Sequence, residues 1–415
     1  MQLLLAVIYV AFISLGLPDS LLGAAWPSIY PQIEVPVSYA GIISMLIAAG
    51  TIVSSLNSDR LTLRFGTGKV TATSVVMTAV ALLGFSFSTS FLELCLWAIP
   101  YGLGAGSVDA SLNNFVALHY KSRHMSWLHC MWGVGASLGP YIMGYALTGH
   151  AGWAGGYRII GLLQIGLAAL LFISLPLWKK TPVNIGVGDA NSAPTHQANA
   201  DDRQARPRTP VTLAQILRIR GAKAVMLAFF CYCAIEATAG LWAASYLNLH
   251  RGVSVEDAAS YAALFFVGIT VGRALSGFLT IRFSDDQMII GGEALIVIGI
   301  ATMVIPGHNI IALMGLVVIG LGCAPVYPSI IHAIPERFGA DKSQAIIGVQ
   351  MATAYVGTLA MPPFFGLIAN RVSVALFPYY LMLLLFSMAA SHRLLLRISA
   401  TNTGEDTALR DPHSS

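Results

Sequence analysis

Apolar residues in this chain come in runs of about 20, the length that crosses a bilayer as a helix, with short polar punctuation between them. The runs fall near residues 4–30, 37–57, 70–89, 91–118, 125–147, 157–178, 223–247, 257–279, 288–306, 310–334, 343–367 and 373–392. They predict an all-α membrane protein of twelve transmembrane helices in two pseudo-symmetric six-helix bundles. Residues 179–222, rich in Ala, Asn, Asp, Arg and Pro, separate the sixth run from the seventh and read as a flexible linker. Within it, Thr212 to Arg220 has the pattern of a short amphipathic surface helix. The expected organisation is a first bundle over 1–178, the linker over 179–222, a second bundle over 223–397 and a polar tail over 398–415.

The runs repeat. Gly50, Leu61, Thr62, Arg64 and Phe65 return at a constant offset as Gly268, Leu279, Thr280, Arg282 and Phe283, and Gly102-Leu103-Gly104 returns as Gly320-Leu321-Gly322. Asp19, Gly23 and Ser28 have counterparts in Glu236, Gly240 and Ser245, and Gly135, Pro140 and Gly144 in Gly357, Pro362 and Gly366. A duplicated membrane half is the sequence pointer to a secondary transporter with its site between the repeats. Spaced glycines, such as Gly102 with Gly106 and Gly135 with Gly139, read as packing faces that let helices approach closely.

Composition agrees with the pattern. Hydrophobic residues make up 56% of the 415 positions and charged ones 10%, against about 25% charged in soluble domains. The five cysteines fall in apolar runs without metal-ligand spacing and read as packing residues. The first run lacks a basic leader and carries Asp19, which favours a retained span over a cleaved signal. Arg60, Arg64, Lys69, Lys121, Arg123, Arg282, Arg337, Lys342, Arg393, Arg397 and the basic linker lie on one side, and only Arg158, Arg251 and Arg371 on the other. The basic side is expected to be cytoplasmic, with both termini inside and the chain in the inner or plasma membrane.

A carboxylate at membrane depth is unfavourable by roughly 2.5–3.5 kcal/mol on insertion scales, so each one is a candidate functional group. Asp19 and Glu236 occupy corresponding repeat positions, and Asn113 lies one turn after Asp109 on the same face. Glu293 reads as a carboxylate snorkelling at the start of its span. Arg273, the one Lys or Arg well inside a span, is expected to meet a carboxylate, a carbonyl or the interface. His129 can exchange a proton near neutral pH and shares a face with Trp132. Trp132 and Trp242 can stack on a sugar ring, with Trp242 the better placed. Asn114, Tyr232, Tyr327, Gln350 and Thr353 offer uncharged donors and acceptors. The chain has no phosphate loop, no His-Glu-x-x-His and no Gly-x-Ser-x-Gly. ATP-driven transport and hydrolase chemistry are therefore disfavoured, and an ion or solute gradient is left as the energy source.

Several of these pieces resemble the major facilitator superfamily, and within it the fucose-permease-like sugar and proton symporters. They are Gly16-Leu-Pro-Asp19-Ser-Leu-Leu-Gly23, Gly102-Leu-Gly-Ala-Gly-Ser-Val-Asp109, Leu128-His129 leading to Gly133-Val-Gly-Ala-Ser-Leu-Gly-Pro140, Tyr232-x-x-x-Glu236 with Gly240-x-Trp242, and Gly320-Leu-Gly-Cys-Ala-Pro325 with Tyr327-Pro328. The superfamily's loop signature appears in degenerate form as Ser55-Leu-Asn-Ser-Asp59-Arg60-Leu-Thr-Leu-Arg64. The resemblance implies a non-enzymatic transporter without cofactor or nucleic-acid partner, working by alternating access. It assigns proton coupling to Asp109 and Asp19 and gating to Asp59, Arg60 and Arg64, with Arg273 grouped among them. Solute binding falls to Glu236, Asn113, Asn114, Trp242, Tyr232, Tyr327, Gln350, His129 and Trp132. The expected solute is a monosaccharide or similar small polar molecule, with H⁺, or else Na⁺, as coupling ion. Span 4 lacks the arginine of many drug exporters and span 5 has only part of their glycine pattern. Both tilt the reading toward uptake, with proton-driven export of amphipathic compounds as the alternative.

Overall fold

A computed structural model of the chain describes residues 2–120, 122–149, 151–178, 213–306 and 309–410. The first group of helices is α1 (Gln2–Asp19), α2 (Leu21–Gln32), α3 (Tyr39–Phe65), α4 (Thr67–Phe87), α5 (Phe91–His119), α6 (Ser122–Thr148) and α7 (Gly152–Trp178). The short α8 (Leu213–Arg218) precedes α9 (Ala222–Leu249), α10 (Val255–Leu279), α11 (Asp285–Val304), α12 (Asn309–His332), α13 (Ile334–Phe338), α14 (Ala340–Arg371) and α15 (Phe377–Arg410). No strand occurs among the described residues. Among the described residues eleven spans are long and apolar enough to cross a bilayer, α1 and α2 together forming the first. α6, more polar but 27 residues long and packed on α1 and α10, takes the twelfth place.

The first span is broken where Pro18 meets Ser20. Proline has no N–H, so the carbonyl one turn earlier, that of Ser14, is left without its helical donor. The Gln164 side chain on α7 supplies one, its Nε2 donating to Ser14 O at 2.6 Å while the Ser14 hydroxyl donates to Gln164 Oε1 at 2.6 Å. A kink tolerated in this way ends α1 at Asp19 and places that carboxylate at a helix end inside the bundle.

Glycine sets the helix spacing, and it does so twice. A side chain on Gly102 would stand 2.2 Å from Ile47 O, and Gly50 faces Gly102 across the α3–α5 seam. In the second half Gly268 lies against Val317 O, and Gly320 against Phe265 O across α10–α12. The sequence repeat is thus a repeated helix–helix contact. Around the first seam Ser54 bonds Leu103 O and Ser107, and Ser58 bonds Ser111, a hydroxyl ladder in place of apolar packing.

The halves meet through Gly23 against Gly240 O, Gly41 against Pro363, Gly144 against Ser260 and Gly366 against Ser38. All four contacts lie toward the end of the bundle where α2 finishes and α3 begins. Gly23 and Gly240 are counterparts in the repeat, so the pseudo-twofold axis passes between them. The contact of α6 with α10 continues inward through Ser137 and Thr270, whose hydroxyls are 3.4 Å apart.

Two expectations change. α15 runs on to Arg410, so a tail starting at 398 is not separate from the last helix; no proline interrupts that stretch before Pro412. Glu293 does not snorkel. It is buried, with Oε1 3.5 Å from His392 Nδ1, and His392 Nε2 lies 3.2 Å from Asp286, which also pairs with Arg337. The part of the linker over 179–212 lies outside the described residues.

The close contacts predict a contrast between two glycines. Gly135 approaches Ile13 O so closely that a methyl group there would lie 1.8 Å from it, whereas Gly277 has nothing within 4 Å. Gly135→Ala should lower stability by about 1–3 kcal/mol through overpacking. Gly277→Ala should be neutral or stabilising by up to about 1 kcal/mol from helix propensity. Thermal unfolding of the two variants in detergent checks this, and equal midpoints would show that the α1–α6 approach does not limit stability.

Candidate functional site

Four residues before Gly23 and four before Gly240, one turn from the pseudo-twofold axis, stand Asp19 and Glu236. Asp19 is exposed although helices surround it, so the space it faces lies between the halves. Both its oxygens are held from its own half: the Tyr101 hydroxyl donates to Oδ1 at 3.1 Å and the Trp132 indole N–H to Oδ2 at 2.8 Å. Glu236 is 21% exposed and receives different partners. The Tyr232 hydroxyl donates to Oε2, and Arg273 on α10 reaches Oε1 at 3.4 Å.

Trp132 joins the two acids. Its N–H is on Asp19, and the Arg273 guanidinium carbon lies 5.1 Å from the ring centroid, within cation–π range. Asp19, Trp132, Arg273, Glu236 and Tyr232 therefore form one chain of contacts from α1 through α6 and α10 to α9. Phe266 meets the same indole edge to face, and Tyr327 packs on Tyr232 and Phe229.

Asp109 on α5 accepts from Asn113 Nδ2 at 2.9 Å, as their spacing of one turn allows. It lies within electrostatic reach of Asp19 in its own half and of Tyr327 and Tyr355 in the other. His129 is half-buried, with its ring edge-on to Phe12.

Other expected members stand elsewhere. Trp242 is fully buried, donates its N–H to Pro362 O at 3.0 Å and packs on Phe365, so in this conformation it presents no face to a solute. Its own half wraps around it because the missing side chain of Gly366 makes room for the indole. Gln350 is also fully buried, on the face that α14 shares with Ile346 and Ala354. Thr353 bonds the carbonyl of Gln350 in its own helix. Arg273, grouped with the gate, stands in the site instead. Arg64 is exposed in the last turn of α3, and the side chains of Asp59, Arg60 and Asn114 lie outside the described residues.

Two participants were not anticipated. Tyr101 follows Pro100 in an otherwise apolar stretch and gave no signal of its own. Gln164, the one amide in its span, could have been found by the rule that flags intramembrane carboxylates, because a buried amide also needs a partner.

With this geometry in view, comparison with known proteins gives the family. The profile of the Major Facilitator Superfamily matches residues 8–262 and 224–415, and the chain belongs to that superfamily of membrane transporters. Among relatives, Bypass of stop codon protein 6 from Saccharomyces cerevisiae is 24% identical over 406 residues, covering 91% of this chain and 80% of its own. A glucose/galactose transporter of Brucella abortus is 26% identical over 152 residues, 36% of each chain. The crystal structure of a D-xylose-proton symporter superimposes with a TM-score of 0.69 at 13% identity over 94% of this chain and 96% of the other, which establishes the shared fold.

The Arg273–Glu236 pair yields a second prediction. Removing one member strands the other charge among helices, whereas removing both does not. Arg273→Met should lower stability by about 1.5–3 kcal/mol, the range for a hydrogen bond to a charged group. Adding Glu236→Gln should restore a large part of that loss. Unfolding midpoints of the singles and the double decide the matter: strictly additive losses would mean the two charges are not coupled.

Proposed function

We propose that the chain is a secondary active transporter that takes up a monosaccharide or similarly small polar solute with protons, by alternating access in the cell membrane. The carrying observation is the pair of acids at corresponding repeat positions, bridged across the two halves by Trp132 and Arg273. Such a bridge lets the protonation of either acid alter how the halves hold each other. The Brucella relative's description as a glucose/galactose transporter favours a sugar-sized solute.

With the basic loops and both termini cytoplasmic, the end closed by Gly23, Gly41, Gly144 and Gly366 is the outer one. The state is then inward-open, and transport rocks the halves about the Gly23–Gly240 approach. Asp109, backed by Asn113, and Asp19 take the proton. Trp132, Tyr327 and Asn113 face the solute, and Asp59, Arg60 and Arg64 act at the inner gate.

Proteoliposomes test this. A thermal-shift screen of the purified protein against sugars, sugar acids and lipophilic drugs selects the solute, which is then supplied radiolabelled with an imposed proton gradient. Accumulation should depend on the gradient. Asp109→Asn should abolish it while solute counterflow persists, because counterflow needs binding and rocking but no net proton movement. Accumulation by that variant would move coupling elsewhere, and protection by lipophilic drugs alone would favour export.

A further inference from the structure

We infer that the solute carries a carboxylate, which replaces Glu236 on the Arg273 guanidinium while the displaced Glu236 takes a proton. The substrate is then a hydroxylated monocarboxylate of sugar size, such as a uronic or aldonic acid. This rests on the uptake reading for the site being a substrate site.

The Arg273 contact with Glu236 falls short of what the two groups can form. A guanidinium presents a rigid fork of N–H donors that matches a carboxylate through two parallel bonds at about 2.7–2.9 Å. Here one nitrogen meets one oxygen at 3.4 Å, and the second carboxylate oxygen is taken by Tyr232. Trp132 holds the guanidinium carbon 5.1 Å from its ring centroid, a contact that uses none of the N–H donors needed by a carboxylate. Arg273 keeps 17% of its side chain exposed, and none of its nitrogens is among the described buried groups that lack a partner. Tyr232 stands beside the guanidinium as well, and the exposed part of Arg273 is where a further acceptor can reach it. A cation fully committed to its partner would offer no such approach. A second carboxylate, aligned on the fork, would bind it better than Glu236 does.

Charge decides what must accompany the anion. The groups facing Glu236 are Arg273 from α10, Tyr232 and Cys233 from its own helix, and Cys323 and Tyr327 from α12. Arg273 is the one cation among them. A solute carboxylate added while Glu236 stays ionised puts two anions on one guanidinium. Like charges sharing a site favour protonation of one of them. A proton from solution bonds to Glu236 Oε1, the hydrogen bond from Arg273 to that oxygen breaks, and the solute carboxylate takes its place. One anion and one proton enter together, so the charge around Arg273 is unchanged. This proton accompanies the anion and is separate from the coupling proton that Asp109 and Asp19 take, and the oxygens of those two groups are left to meet the solute's hydroxyl groups.

Binding of D-galacturonate, D-glucuronate and D-gluconate, with D-galactose and D-glucose as neutral counterparts, tests this on the purified full-length protein at mildly acidic and neutral pH. The acids should bind more tightly at acidic pH, and Arg273→Gln should weaken them by about tenfold or more, the loss of a bond to a charged group. The Arg273→Gln/Glu236→Gln double variant gives the same reading if the single one does not fold. Glu236→Gln alone, which leaves Arg273 unclaimed, should bind the acids at neutral pH as tightly as the unmodified protein does at acidic pH. Neutral sugars binding as well as their acids, binding of neither class, or acid binding weakened by Glu236→Gln overturns the inference. Proteoliposomes separate this from failure of the uptake reading: proton-driven accumulation of galactose without galacturonate sinks only the carboxylate assignment. Acids that bind yet are never accumulated sink only the uptake reading.

Discussion

A guanidinium within a membrane-spanning helix has to be neutralised or hydrated, and Arg273 meets both needs in a way that ties the molecule together. Neutralisation comes from Glu236 on a neighbouring helix of the same half, and the face of the cation rests on Trp132 of the other half. Because Trp132 also donates to Asp19, the electrostatics of one half are felt in the other. The bridge requires α6 and α10 to lie in contact, and small residues along that seam, Gly133 against Thr270 and Gly144 against Ser260, permit it. The glycine pattern and the charge pattern are therefore two aspects of one requirement.

Much of the fold was legible in the sequence because a bilayer imposes a length and a repeat imposes an order. Gly102 and Gly135 could be recognised as packing positions from their spacing, but which backbone each meets, Ile47 O and Ile13 O, emerges only from the fold. Which face of a helix meets the central space was far less legible. Trp242 and Gln350 have the chemistry of solute-binding residues, yet Trp242 turns to Pro362 and Phe365 in its own half and Gln350 is fully buried. Helical periodicity shows which residues share a face, but a span wrapped by neighbours on most sides carries little polar contrast to say which face is open. Glu293 was misread for a related reason: its partner His392 lies in another helix, and no local pattern announces a contact between distant spans.

The prolines show how one residue can shape a site from a distance. Pro18 takes the donor from Ser14 O, Gln164 compensates from α7, and the break that results lets α1 stop at Asp19. A continuous helix would carry the same carboxylate past the axis at a fixed angle. The broken one sets it at a helix terminus, where Tyr101 and Trp132 can each reach one oxygen.

The two acids occupy equivalent places but are not equivalent groups. Asp19 is held by two neutral donors and faces open space, so its charge is solvated by dipoles and accessible to an incoming proton. Glu236 is held by a cation and a phenol and is more enclosed, so its charge is balanced where it stands. Removing charge from Asp19 weakens two hydrogen bonds within the first half, whereas removing it from Glu236 releases a cation at the seam between halves. Duplication supplied the symmetric positions, and the divergence of their partners, Trp132 and Tyr101 on one side and Arg273 and Tyr232 on the other, places the two acids in different electrostatic surroundings within one fold.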